Sequence, residues 1–351
     1  MKPACVADYR EAAKRRLPKV LFDYIDGGSY AEETLAANVG DIQALKLRQR
    51  VLKDVSKLSL ETELFGQTLS MPVVLSPVGL AGMYARRGEA QAARAAKAAG
   101  VPFTLSTVGV CTIDEIAKAA QPPWFQLYMM RDRGFMEHVL QVAAEGGCPV
   151  LVFTVDLAVP GARYRDTRNG MIATTTAQRL SQTFDGLAHP GWLWDVQLNG
   201  RPHTLGTVAG ASQDLKRLME FFGWIARNFD PAITWADLDW IRARWKGPIV
   251  IKGVLDVADA REAVRVYTNQ YTAGTIDLTV LVTGQVTLLN DEVAELTIRQ
   301  NLFLASVNLI EALGGTWDTT LLPSQEELQK SFSLTPQLPL TDSGVEYQPT
   351  N

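Results

Sequence analysis

The 351-residue sequence predicts an α/β fold: an incomplete TIM-type (β/α) barrel of about five of eight strands, then a long helix and a disordered tail. Two observations carry the barrel. Short, nearly all-apolar segments alternate with helical ones, the pattern of a parallel sheet buried on both faces. Polar residues then recur at the C-terminal ends of successive strands, at Ser76, Ser106, Gln126, Tyr128, Thr154 and Lys252. A doubly wound sheet satisfies the alternation equally well. It does not ask for contributions from the ends of many successive strands, and no strand here runs into a GxGxxG turn.

Residues 6–60 are polar and helical in pattern, broken at Asp26-Gly27-Gly28. The first strand spans 71–79 and ends in small and turn residues. An alanine-rich helix over 88–99 follows, closed by Gly100. Strands are then expected at 102–109, 124–129, 149–156 and 248–253, with helices at 112–119, 133–145 and 257–266. Between the fourth and fifth strands lies a long insertion, about 160–245, holding six of the eight tryptophans. Connections of that length are usually functional or mobile.

Composition narrows the class. A net charge of −4 offers no excess of basic residues for nucleic acid. Cys5, Cys111 and Cys148 are odd in number and widely spaced, which fits neither a disulfide framework nor a metal site and suits a reducing compartment. Lys2, Arg10 and Lys14–Arg16 precede no apolar h-region, and no uncharged apolar run is long enough to span a bilayer. The expectation is a cytoplasmic protein.

Seven motifs occur in order: Phe22 to Tyr30 (FDYIDGGSY), Ser76 to Gly79, Leu105 to Thr107, Trp124 to Tyr128, Thr154 to Asp156, Pro160 to Arg165 and Ile251 to Gly253. Together they resemble the FMN-dependent 2-hydroxy-acid dehydrogenases and oxidases. Ala85–Gly88, Tyr128–Phe135 and Trp194–Pro202 look most like bacterial L-lactate dehydrogenase. The resemblance implies FMN as cofactor, a 2-hydroxy acid (L-lactate) as substrate, and a quinone or other electron acceptor. A peripheral contact with the inner face of the cell membrane is admitted by the tryptophan-rich insertion, although packing of that insertion onto the barrel accounts for the tryptophans as well.

Oxidising a 2-hydroxy acid removes a hydroxyl proton and a C2 hydride, the latter to the flavin. Arg163 can fork two hydrogen bonds to the substrate carboxylate. By resemblance Tyr24 and Tyr128 are substrate residues. Lys252 balances charge at the flavin N1–O2 edge. Ser106, Gln126 and Thr154 match ring-binding positions, and the backbone of Pro77, Val78 and Gly79 approaches the ring. Simpler roles stay open: Tyr24 as packing, Arg163 as a solvated partner of Arg165, and the strand-end polar groups as backbone satisfiers. Lysine after Ile-Val-Ile is the hardest to explain without a partner.

The family's base histidine lies in a Ser-Asn-His-Gly-Gly-Arg motif, whose arginine is a second carboxylate clamp. Here the only histidines are His138, His189 and His203, all before Lys252 and none in such a motif, so no catalytic base is assigned. Strands seven and eight, which grip the FMN phosphate, are also missing. The resemblance stops near 264–266. From Thr275 to Leu313 apolar residues recur in threes and fours, a coiled-coil-like helix ended by Gly314-Gly315. It resembles the C-terminal helix of TolC-like outer-membrane efflux proteins through Tyr271–Asp277, Arg299–Asn301, Ala305–Leu309 and Ala312–Trp317. The expected division is a barrel at 1–265, a helical segment at 266–317 and a Pro-, Ser-, Thr- and Gln-rich disordered tail at 318–351.

Overall fold

The computed structural model describes residues 2–157, 159, 161–171, 175–207, 228–272, 274 and 278–312. The expected helix stop at Gly314-Gly315 and the tail 318–351 lie outside the described residues. The chain divides into two units, Met1–Leu255 and Asp256–Asn351.

The first unit opens with helices α1 (Val6–Arg16), α2 (Lys19–Asp26) and α3 (Glu33–Ala44). The expectation of helix through residue 60 is corrected here. After Ala44 the order Leu45-Lys46-Leu47-Arg48 alternates with period two, which gives a helix no apolar face, and residues 45–61 form no regular element. A hairpin then pairs β1 (Thr62–Leu64) with β2 (Gln67–Leu69) across Phe65-Gly66. Both turn residues have positive φ, 51° and 71°, the geometry that matches the twist of a two-residue hairpin.

Strands β3 (Thr104–Ser106), β4 (Trp124–Tyr128), β5 (Leu151–Thr154) and β6 (Ile249–Lys252) form one parallel sheet in that order. Helices α4 (Gly88–Ala99), α5 (Ile113–Ala119) and α6 (Arg133–Glu145) occupy the connections. Their ends follow from sequence. Gly100 closes α4 at φ 67°, while Thr112 and Asp132 cap α5 and α6 by accepting from Glu115 N and Phe135 N. Leu105, Phe125, Leu127 and Leu151 are fully buried, as a sheet covered on both faces requires.

The first expected strand, 71–79, is reduced to one parallel bridge, Leu75 to Phe103. It makes two backbone bonds there, Leu75 N to Pro102 O at 3.0 Å and Thr104 N to Leu75 O at 3.1 Å. Pro72 and Pro77 remove donors on either side, and among the described residues no strand lies on its other edge to hold it extended. The α/β architecture is therefore an arc of a TIM-type barrel, four strands and a bridge.

Register decides which residues face the barrel interior. Trp124 pairs with Thr104, Gln126 with Ser106 and Val152, and Tyr128 with Thr154, which pairs with Lys252. Side chains alternate along a strand, so all of these share one face. At the strand starts that face is apolar: Trp124, Val150 and Val152 cluster with Val250, and the β1–β2 hairpin plugs them with Leu64 and Phe65. The Phe65 and Trp124 rings meet edge-on at 5.7 Å, and Trp124 Nε1 donates to Gln67 Oε1 at 3.3 Å. Toward the strand ends the same face turns polar.

The insertion contributes α7 (Tyr164–Asn169), α8 (Thr176–Leu187) and α9 (Ala236–Arg244). In the second unit α10 (Val257–Thr272) and α11 (Leu278–Ala312) pack as an antiparallel pair. Tyr267 lies against Gly284, where a Cβ would meet its ring at 2.6 Å, and Arg261 pairs with Glu292 at 3.0 Å. No helix among the described residues is long and apolar enough to cross a membrane.

Candidate active site

The polar end of the inner face is a connected row. Ser106 Oγ donates to Gln126 Oε1 at 3.0 Å, and Gln126 Nε2 donates to Thr154 Oγ1 at 2.9 Å. Gln126 is 1% exposed, deep enough that an unpaired amide would be costly. Just past the end of β3, Thr107 Oγ1 donates to the Gln126 carbonyl at 2.5 Å and accepts from Tyr128 N at 3.2 Å. These bonds fix the Gln126 rotamer. Among the described residues the Thr154 hydroxyl hydrogen and the second Gln126 amide hydrogen meet no acceptor, which leaves them for a group above the row.

Lys252 ends β6 beside Thr154. Its Nζ lies 3.4 Å from Asp156 Oδ2 and its side chain is 44% exposed. Gly253 makes that placement possible, with φ 104° and Asp156 at 2.5 Å from where a Cβ would stand. On the opposite flank the Pro77–Gly79 segment runs beside the loop after β3. Leu80 N donates to Val108 O at 3.0 Å, and a Cβ on Gly79 would meet Val108 Cγ2 at 2.7 Å. Pro77, Val78 and Gly79 thus sit at the same end of the sheet as Ser106.

Tyr24, Tyr128 and Arg163 form the neighbouring cluster. The Arg163 guanidinium carbon stands 4.7 Å from the Tyr24 ring centre. Arg163 caps the carboxyl end of α2, donating to the Tyr24 carbonyl and, at 3.0 Å, to the Gly27 carbonyl, while its Nε donates to Asp166 at 2.7 Å. Burial raises the Tyr24 phenol above its ordinary range, offset in part by Arg163. Burial pushes Tyr128 up to about 12, with smaller contributions from Tyr24 and Asp156. The Tyr128 ring also meets Phe229 edge-on at 5.3 Å. Arg165 is not a solvated twin of Arg163: it pairs with Asp26 at 2.9 Å and with Glu32.

Sequence reasoning missed Tyr84. Among the described residues its hydroxyl is buried without a hydrogen-bond partner, and burial raises its pKa, with Tyr24 the next contributor. The one available signal was its place just before Ala85–Gly88. The histidines stay outside the cluster in their described contacts. His138 is exposed on α6, and His189 Nδ1 lies 2.6 Å from the Asp185 carbonyl. His203 is held low chiefly by burial, near Gln197, Arg201 and Arg87. Among the described residues no group of His, Cys, Asp and Glu could hold a metal.

The donor set fits the ring of a flavin. An amide, two hydroxyls and one ammonium, lined up at strand ends, match the alternating carbonyl and N–H groups of the isoalloxazine edge. Among the described residues of this unit no strand follows β6.

Residues 13–268 match the FMN-dependent dehydrogenase family. The L-lactate dehydrogenase of Chromohalobacter salexigens is 60% identical over 259 residues, 74% of this chain and 66% of that protein. That of Stenotrophomonas maltophilia is 59% identical over 260 residues, covering 74% and 68%. Among solved structures, the monotopic membrane protein (S)-mandelate dehydrogenase superposes with a TM-score of 0.68 at 32% identity, over 76% of this chain and 70% of that one. A mandelate oxidase gives 0.59 at 32% identity, over 75% and 66%. The chain spans about two thirds of the length of the curated relatives it matches. With a matched segment that runs from α1 to α10 and holds every residue of the strand-end row, the chain belongs to the FMN-dependent dehydrogenase family.

Proposed function

We propose that the row Ser106–Gln126–Thr154, with Lys252 and the backbone of Pro77, Val78 and Gly79, holds the ring of FMN. Tyr24, Tyr128 and Arg163 take a 2-hydroxy acid, L-lactate, for oxidation to pyruvate. The observation that carries this reading is the change along one sheet face. It passes from the plugged, apolar Trp124 layer to the hydrogen-bonded Gln126 layer within two residues of β4. The cofactor supplies the acceptor for the C2 hydride when bound. Arg163 supplies the cation for the carboxylate. Tyr24 and Tyr128 stay neutral at physiological pH, because burial raises both, and so keep an O–H to donate. Lys252 places a positive charge beside the ring's N1–O2 edge. The 60% identical L-lactate dehydrogenase supports lactate over other 2-hydroxy acids.

A second reading rests on a specific observation. All three histidines precede Lys252, and their described neighbours are not residues of the cluster. On this reading the chain is a catalytically inactive chimeric fragment, a barrel segment of residues 1–265 joined to a TolC-like helical segment at 266–317 and a tail at 318–351. The family match ending at residue 268 supports the join. The helical segment then serves as an interaction module. A missing general base lowers turnover by about 10²–10⁴. A cytoplasmic protein touching the membrane through its insertion, where Trp194 is exposed, and using a quinone or other acceptor, is supported by the monotopic membrane character of (S)-mandelate dehydrogenase.

The test is anaerobic addition of L-lactate to the FMN-reconstituted chain, following the flavin absorbance. Reduction slower than in the Chromohalobacter relative by about 10²–10⁴ is expected. Reduction at the relative's rate overturns the second reading, and failure to bind FMN saturably overturns the first.

A further inference from the structure

Helix α11 carries two apolar faces, and α10 covers one of them. Along α11 the apolar side chains Val282, Val286, Leu289, Val293, Leu296, Phe303 and Val307 step alternately by four and three, with Gln300 filling the one polar position of the series. Every apolar member is exposed, between 41% and 65%. The face against α10 is a different one. It runs through Leu281, which is buried, Gly284, which admits Tyr267, and Glu292, which binds Arg261. At 100° per residue the Leu281–Gly284 line lies about 120° around the helix from the centre of the exposed seam. Over residues 281–292 the helix therefore has a covered line and a bare one; farther along, Ile298, Leu302 and Leu304 are exposed as well, and the seam is the line that keeps the heptad period.

We propose that this seam docks a second copy of the same helix, joining two chains through a parallel two-stranded coiled coil. The argument for a copy of this chain, and for two strands, is the composition of the seam. Valine occupies the a positions 286, 293 and 307, and leucine the d positions 289 and 296, the arrangement that favours parallel dimers. Gln300 at the remaining a position is a polar register mark that pairs with itself across a parallel two-fold axis. The flanking g and e residues add no like-charge clash. Gln285 faces Asn290 and Arg299 faces Leu304, while Glu292, at the g position opposite Thr297, is already neutralised by Arg261 of α10, so identical chains meet without repulsion. Residues 282–307 span nearly four heptads, within the length that a stable two-stranded coiled coil needs.

The test uses the full chain carrying Cys5→Ser, which removes the exposed thiol. Sedimentation should give a dimer, and Val293→Lys with Leu296→Lys should return the monomer with its far-UV circular dichroism retained. Leu296→Cys, at a d position, should form an intermolecular disulfide, and Ala294→Cys, facing away from the seam, should not. A monomeric chain, a trimer, association that survives the lysine pair, or equal cross-linking at 294 and 296 would each overturn the proposal.

Discussion

Replacing Gln126 with leucine tests whether the strand-end row is a built network. The substitution keeps the side-chain volume roughly constant and removes both amide partners at a site that is 1% exposed. Two neutral hydrogen bonds disappear, Ser106 Oγ to Gln126 and Gln126 to Thr154, each contributing about 0.5–1.5 kcal/mol net. Ser106 Oγ still accepts from Val108 N at 3.3 Å, so its penalty is partly relieved. Thr154 is buried and loses the one donor described for it, and an unsatisfied buried group costs about 1–3 kcal/mol. The two contributions overlap, and a loss of about 2–4 kcal/mol is expected. Urea unfolding followed by tryptophan emission measures it. A change below about 0.5 kcal/mol, the size usual for surface substitutions, would refute the claim that these groups are bonded to one another.

Three further outcomes follow from the same geometry. Lys252→Met removes a charge that is 44% exposed and paired only loosely with Asp156, so stability should move by less than about 0.5 kcal/mol. Gly253→Ala forces a Cβ onto Asp156 at a φ of 104° and should cost about 1–3 kcal/mol, measured by the urea midpoint. Alkaline titration reads the buried phenols. Tyr24, Tyr84 and Tyr128 are all raised by burial, Tyr128 to about 12. In each the folded state holds a proton that the unfolded state releases near pH 10, so this stability is intact below pH 10. It then falls by about 1.4 kcal/mol per pH unit per group as pH rises toward the folded value. Phenolate absorbance from these three should therefore appear with unfolding, and a gradual rise in the folded protein would contradict the burial.

Much of the barrel segment was legible because its signals are local. Gly100, Thr112 and Asp132 mark helix ends, and the apolar runs at 124–129 and 149–156 are strands because both of their faces are covered. The 71–79 strand failed for a non-local reason: an apolar run becomes a strand only with a partner on its edge, and Leu75 finds a single bridge. The β1–β2 hairpin was missed because its turn uses Phe65-Gly66, and phenylalanine is a poor marker for positive φ. At the site, Ser106, Gln126 and Thr154 were found by recurrence at strand ends, and the structure joins them in one row. Two details were invisible in sequence. Arg163 caps α2 through the carbonyls of Tyr24 and Gly27, and Tyr84 enters the cluster because Tyr24 and Arg163 come to it from distant segments. The heptad period of α11 could be read directly, whereas the identity of its bare face needed the position of α10.

The proposal that the strand-end row holds the ring of FMN, with no strand after β6 among the described residues to grip its phosphate, is tested most directly by comparing FMN with riboflavin. Flavin fluorescence titrated with the wild-type chain should give saturable binding of both, with affinities within a few-fold of each other. Both should weaken about tenfold or more in Lys252→Met, the scale of a lost charge-assisted hydrogen bond of about 1.5–3 kcal/mol. Binding of FMN two orders of magnitude tighter than riboflavin, or equal binding to the wild type and Lys252→Met, would contradict it.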